Sequence, residues 1–256
     1  MSKLSGENKF LDLSDYGRPI AKIIANSIKK TQITAIHVTW MFVVCAFISI
    51  YFIFQEKYVL AGVFLILKSI LDAADGELAR LKNKPSYVGR YFDSISDFLI
   101  NLILFLCISY VSSMDYIVGF IAFVACQLQG TLYNYYYVIL RNRTLKSDKT
   151  SRVFENKFPV AYPGESQKGV NRLFIIYKLF YGLFDWIIYT LERSASKVKT
   201  IPKWFMTFVS IYGLGFQLLI MAVFLSLNMK EFIPLFFIVY SFFIPLFIGV
   251  RKIFVS

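Results

Sequence analysis

The chain has 256 residues, with 28 Lys and Arg against 16 Asp and Glu, a formal charge of +12. It is 57% hydrophobic, 18% aromatic and only 17% charged, and its mean hydropathy is +0.58. Soluble domains carry roughly 45–50% apolar and about 25% charged residues, so a disordered tail, a disulfide-stapled secreted domain and a nucleic-acid-binding domain are excluded, and a membrane protein remains.

The first segment, 1–33, places Leu13, Tyr16, Ile20, Ile23, Ile24 and Ile28 at helical spacing, with Lys22, Lys29 and Lys30 between them and Pro19 suited to a first turn. This pattern predicts an amphipathic helix in the cytoplasmic headgroup layer. No signal peptide is expected, because no apolar core follows the first residues. A spanning helix needs roughly 20 mostly apolar residues, and six segments qualify: 34–54, 58–81, 88–112, 116–140, 204–227 and 232–250. The expectation is therefore an all-α integral membrane protein, a six-transmembrane-helix bundle occupying 34–256. The connections at 55–57, 82–87, 113–115 and 228–231 are short and imply antiparallel neighbours. The single histidine, His37, reads as a structural residue at the start of the first span. Cys45, Cys107 and Cys126 lie in apolar runs without metal-ligand spacing and read as packing residues.

In the fourth span, Gln127, Gln129 and Asn134 either line a path for a polar ligand or bond between helices. Tyr133, Tyr135, Tyr136 and Tyr137 read as an interfacial aromatic belt. The stretch 141–203 begins polar and basic, with turn signals at Pro159 and Pro163-Gly164. It becomes apolar over 170–191, where Arg172, Lys178 and Asp185 interrupt it, and reads as helix lying on the membrane surface or against the bundle. Lys and Arg number six before Thr34, four from Arg80 to Arg90, thirteen in 141–203 and two at the C-terminus, against Lys57 and Lys230 on the other side. Both termini and the 141–203 insertion are thus expected in the cytoplasm of a multi-pass protein.

Of the nine Asp, four fall within 26 residues: Asp72, Asp75, Asp93 and Asp97. At about 100° per residue, Asp72, Asp75, Gly76 and Ala79 share one face of the second span, with Arg80 at its edge, while Gly89, Asp93 and Asp97 share a face of the third. The short connection lets the two acidic faces oppose each other. Charges at membrane depth cost at least about 2.5–3.5 kcal/mol each and usually mark function. Four opposed carboxylates need neutralising, and all-oxygen ligation selects a hard cation such as Mg²⁺ or Mn²⁺. Two such ions can polarise a phosphoryl oxygen and position an attacking hydroxyl. Gly76 and Ala79 leave room for a flat group such as a nucleotide, and Arg80 supplies a fork for phosphate. The plain alternative pairs these carboxylates with Arg80, Arg90 and Lys68 at the helix ends. It leaves the Gly and Ala on the acidic face unexplained.

The run Asp72, Asp75-Gly76, Ala79-Arg80, Gly89, Asp93 and Asp97 resembles the signature of the CDP-alcohol phosphotransferase (CDP-alcohol phosphatidyltransferase) family at all eight fixed positions. The resemblance covers 26 residues directly. It implies transfer of a substituted phosphate from a CDP-linked alcohol to a second alcohol, with release of CMP, as in phospholipid biosynthesis. Asp72, Asp75, Asp93 and Asp97 match metal-binding positions for two ions, Asp97 also matches the general base, and Gly76, Ala79, Arg80 and Gly89 match the nucleotide pocket. Pairing of two copies is implied as well. The chain departs from the family at the first span, where a Thr-Pro-Asn motif is replaced by Thr34-Ala35-Ile36.

A chain of this length favours CDP-diacylglycerol as donor and a small polar alcohol as acceptor over the reverse, in which soluble CDP-choline or CDP-ethanolamine donates to a lipid hydroxyl. For a phosphorylated acceptor, Arg141, Arg143, Lys168 and Arg172 are the cationic candidates, against the plainer reading that each interacts with anionic lipid. A divalent-cation transporter is the distant alternative. Phe98–Leu106 offers it almost no polar path onward.

Overall fold

The computed structural model describes residues 9–144, 155–198 and 200–255, and among these the secondary structure is helical, with no strand. In chain order the helices are α1 (Arg18–Ile28), α2 (Ala35–Phe54), α3 (Tyr58–Leu81), α4 (Tyr87–Val111), α5 (Tyr116–Thr144), α6 (Gln167–Leu191), α7 (Lys203–Val209), α8 (Leu214–Ser226), α9 (Phe232–Tyr240) and α10 (Phe243–Phe254). Five helices are long and apolar enough to cross a membrane: Ala35–Phe54, Tyr87–Val111, Tyr116–Asn142, Gln167–Leu191 and Phe232–Phe254. A sixth is reached if the bent pair Lys203–Tyr212 and Leu214–Ser226 counts as one span. By length and composition alone α6 counts and α3 does not, because Lys68, Asp72, Asp75, Glu77 and Arg80 crowd the second half of α3.

The short connections close by one device. Glu56, Asn83, Ser113 and Asn228 take positive φ just past a helix end. In each case the next N–H bonds back to the carbonyl five residues earlier: Lys57 to Phe52 at 2.9 Å, Lys84 to Ala79 at 3.1 Å, Met114 to Ser109 at 2.9 Å and Met229 to Phe224 at 2.8 Å. This left-handed cap satisfies orphan carbonyls and reverses the chain, so the helices return as antiparallel neighbours. Close packing follows where side chains are small. On α3 a Cβ at Gly62 would lie 2.9 Å from the Ala222 carbonyl oxygen of α8. Between α9 and α10, Pro245 cannot donate to the Ser241 carbonyl, and the helix breaks there.

The N-terminal part departs from a simple amphipathic stripe. Leu13–Asp15 is a short 3-10 turn, and α1 begins only at Arg18. Ala21 and Ala25 are fully buried against α3, while Ile20 and Ile23 face outward. The 3-10 turn is seated in the bundle: the Leu13 N–H donates to Ser210 Oγ at 2.9 Å, and a Cβ at Gly213 would lie 2.3 Å from the Ser14 side chain. Gly213 and Gly215 therefore provide the space that Ser14 fills. His37 caps α2, its Nδ1 accepting from the Thr34 N–H at 3.0 Å.

The helix α6 is fastened at both ends to the end of the bundle that carries the aspartates. Before its start, Glu165 accepts from Ser86 Oγ at 2.7 Å and from the Val88 N–H at 2.9 Å, at the first turn of α4. Midway, the Tyr181 hydroxyl donates to the Ser94 carbonyl at 2.9 Å, and Phe180 stacks on Phe98 with ring centroids 4.7 Å apart. After its last turn, Glu192 accepts from the Tyr136 hydroxyl at 2.9 Å and from Arg251 Nε at 2.7 Å. Because α4 and α5 are antiparallel, Tyr136 lies beside the start of α4. So both ends of α6 are tied to the same end of the bundle.

The tyrosines of α5 are not a belt. Tyr135 and Tyr136 are buried and bond to Glu192, and Tyr133 bonds to Asp12. Gln129 bonds between helices, donating to the Phe237 carbonyl of α9 at 2.9 Å. Asn134 is exposed. The thiols of Cys45 and Cys126 are buried and unpaired, Cys107 is free and half-buried, and all three fit the packing role.

Candidate metal and nucleotide site

The helices α3 and α4 bring three carboxylates together: Asp72, Asp75 and Asp93 each offer an oxygen, and these oxygens lie within 4.8 Å of one another. Two features position them. Thr39 of α2, itself buried, donates its hydroxyl to Asp75 Oδ2 at 2.7 Å and fixes that side chain. Ser86 caps α4 by accepting from the Gly89 N–H at 2.7 Å, and a Cβ at Gly89 would lie only 3.1 Å from that hydroxyl. Gly89 therefore permits a tight cap, which sets where Asp93 falls one turn later. Asp93 Oδ1 is buried without a hydrogen-bond partner. A buried, unpaired carboxylate oxygen is costly, and three acidic groups at this spacing repel. A hard divalent cation removes both penalties, so the residues fit one.

Asp97 stands apart from this trio. Lys68, one turn before Asp72 on α3, forms an ion pair and hydrogen bond with Asp97 Oδ1. The Lys68 side chain is 0% exposed and its ammonium sits 4.9 Å above the Phe42 ring. Sequence spacing places Asp97 on the acidic face, and the plain alternative of pairing with Lys68 holds for this one carboxylate. The signal was the lone cation within the apolar half of α3.

Arg80 reaches back over Gly76, where a Cβ would lie 3.5 Å from Arg80 Nη1. Its Nη2 donates to Glu77 Oε2 at 2.8 Å, and Arg18 of α1 donates to the same oxygen at 3.1 Å. Arg80 Nε is buried and unpartnered. Glu77, invisible as a functional residue in the sequence, thus ties α1 to the edge of the site. Burial pushes the Arg18 guanidinium down, but the carboxylates of Asp15 and Glu77 beside it hold it above its ordinary value. Ala79 is half-buried on the same helix.

The cationic candidates for an acceptor phosphate come from two helices, α5 and α6. Arg141 is half-buried near the end of α5, Lys168 and Arg172 are exposed on the first turns of α6, and the Arg143 side chain lies outside the described residues. Arg90, by contrast, is packed over the rings of Tyr91 and Tyr177 and paired with Glu155.

Residues 31–227 match the family described as CDP-alcohol phosphatidyltransferase. That span takes in α2 through α8 with the whole aspartate run, and the chain belongs to this family. Its members are transferases of phosphate-linked groups in phospholipid synthesis, working in a membrane with a CDP-alcohol donor and an alcohol acceptor and generally dependent on a divalent metal. No curated protein matches the chain in direct sequence comparison.

Proposed function

We propose that this protein transfers the phosphatidyl group of CDP-diacylglycerol to the hydroxyl of a small polar alcohol and releases CMP. The observation that carries the reading is the convergence of Asp72, Asp75 and Asp93 from two helices, with Asp93 Oδ1 buried and unpartnered. These three residues would hold a divalent cation, Mg²⁺ or Mn²⁺, whose chemistry is to withdraw charge from the pyrophosphate of the donor. Arg80 and the space above Ala79 receive the nucleotide, and Arg80 Nε supplies an uncommitted donor for phosphate. Asp97, fixed by Lys68, accepts the proton of the acceptor hydroxyl. The acceptor oxygen bonds to the diacylglycerol-bearing phosphorus, the pyrophosphate P–O bond on the CMP side breaks, and CMP departs with the electron pair.

The lipid donor is favoured by the apolar surface that runs up to the cluster. Leu67 on α3 is exposed just over a turn before Asp72, and the exposed Trp40 packs on Phe92, beside Asp93, with ring centroids 5.0 Å apart. Acyl chains would lie along that surface with the cytidine at the motif end. The distribution of Lys and Arg supports a cytoplasmic site, with α1 against the same side.

The deciding experiment is CMP release by the purified protein with Mg²⁺ or Mn²⁺, with CDP-diacylglycerol, CDP-choline and CDP-ethanolamine offered separately. Each donor is given a mixture of polar alcohols, sugar phosphates and diacylglycerol, with Asp97→Asn as the blank. CMP from the lipid donor alone is expected, and chelation by EDTA abolishes it. CMP from a soluble donor instead reverses the roles of bilayer and cytoplasm and overturns the assignment.

A further inference from the structure

We propose that Lys68 is a built-in counter-ion that stands where a second divalent cation would otherwise bind, so that this site takes one metal ion held by Asp72, Asp75 and Asp93. The inference rests on the divalent-metal reading above and deepens it. Four carboxylates face one another across α3 and α4, and they divide into two groups. Three offer oxygens within 4.8 Å of one another, with Asp93 Oδ1 buried and unpartnered. The fourth, Asp97, has Oδ1 occupied by the Lys68 ammonium.

The ammonium is not a surface group that can swing away on ligand binding. Its side chain is wholly inaccessible, and its charge rests over the Phe42 ring of the core. A lysine so enclosed stays with its carboxylate, because separating the two would leave both charges buried and alone. A divalent ion bound through Asp97 would sit within a few ångströms of this fixed positive charge, in a setting that screens poorly. The repulsion opposes a second ion at Asp97, and leaves the Asp72–Asp75–Asp93 group, one helical turn away along α4, as the place where a cation is needed. Lys68 is thus a positioning residue: it holds Asp97 by one oxygen and sets the charge of the pocket without touching the donor.

The test counts ions, not turnover. Mn²⁺ is titrated into the purified full chain in detergent micelles without nucleotide, and the unbound ion is measured by electron paramagnetic resonance. The wild-type chain is expected to bind one Mn²⁺. Asp97→Asn keeps that ion with affinity within about threefold, because Asp97 is not among its ligands. Lys68→Met, which preserves length and apolar packing, takes up a second ion. Two ions in the wild-type chain, loss of the ion in Asp97→Asn, or a count of one in a folded Lys68→Met each overturn the inference. The first of these leaves the transfer reading standing. No bound ion at all in the wild-type chain overturns both. If Lys68→Met does not fold, the wild-type and Asp97→Asn counts still decide the question.

Discussion

Two sets of three carboxylates sit at the same end of this bundle and meet opposite fates. Glu155, Glu165 and Glu192, in and after the insertion, are supplied with donors. Glu155 pairs with Arg90 and the Tyr91 hydroxyl, Glu165 takes backbone and hydroxyl donors at the start of α4, and Glu192 takes two nitrogens of Arg251 at 2.7 Å each and the Tyr136 hydroxyl. Asp72, Asp75 and Asp93, of which Asp75 alone is buried as a whole residue, are left facing each other, with a hydroxyl from Thr39 on Asp75 and a bare oxygen on Asp93. Acidic groups that the chain satisfies by itself hold the fold together. Acidic groups that it gathers and leaves unsatisfied require something from outside.

Three substitutions probe that division, and the largest effect belongs to the unsatisfied set. Asp93→Asn is expected to lower CMP release by about a thousandfold or more, since it removes a ligand at the reacting centre, while helical content by circular dichroism stays at the wild-type level. Turnover within tenfold of wild type would move Asp93 into the structural set. Glu192→Gln should do the reverse: it leaves the buried Arg251 without its charge partner and costs about 3–5 kcal/mol of stability, seen as a lower midpoint of thermal unfolding in detergent. Its affinity for Mn²⁺ should stay unchanged, and a large loss there would mean the two sets are coupled. The smallest effect is expected from Glu165→Gln, which keeps hydrogen bonding at the α4 N-terminus but removes the anion, at about 0.3–1 kcal/mol.

Much of this was legible from spacing alone. Period and length located α2, α3, α4 and α5, and the arc containing Asp72, Asp75 and Asp93 followed from helical geometry plus one short turn. What stayed hidden depended on contacts between distant parts of the chain. Nothing local marks Glu192 as the partner of Arg251, 59 positions later, and although Lys68 was a candidate partner for the aspartates, nothing local selects Asp97, 29 positions later. The α5 tyrosines carried the composition of an interfacial belt, yet their hydroxyls were claimed by Glu192 and Asp12, which are near only in the folded bundle. The N-terminal periodicity was real, but Gly17 packs so closely on Ile70 that a Cβ there would lie 2.9 Å away. The helix starts at Arg18 with Pro19 in its first turn, as the sequence suggests, and Ala21 and Ala25 face α3 fully buried, with Ile24 and Ile28 half-buried against the core while Ile20 and Ile23 face outward.

The seating of Ser14 against Gly213 and Gly215 also orders assembly in time. Leu13 bonds to Ser210 across 197 positions of chain, so a segment synthesised early must wait for one synthesised late before either is sealed. Contacts of such long separation are slow to form, and until α8 arrives the groove that receives residues 12–15 does not exist. A ribosome-bound chain that has completed α6 already holds all four aspartates but has no latch for its own beginning. Maturation of the site is therefore tied to the arrival of a helix that contributes no residue to it.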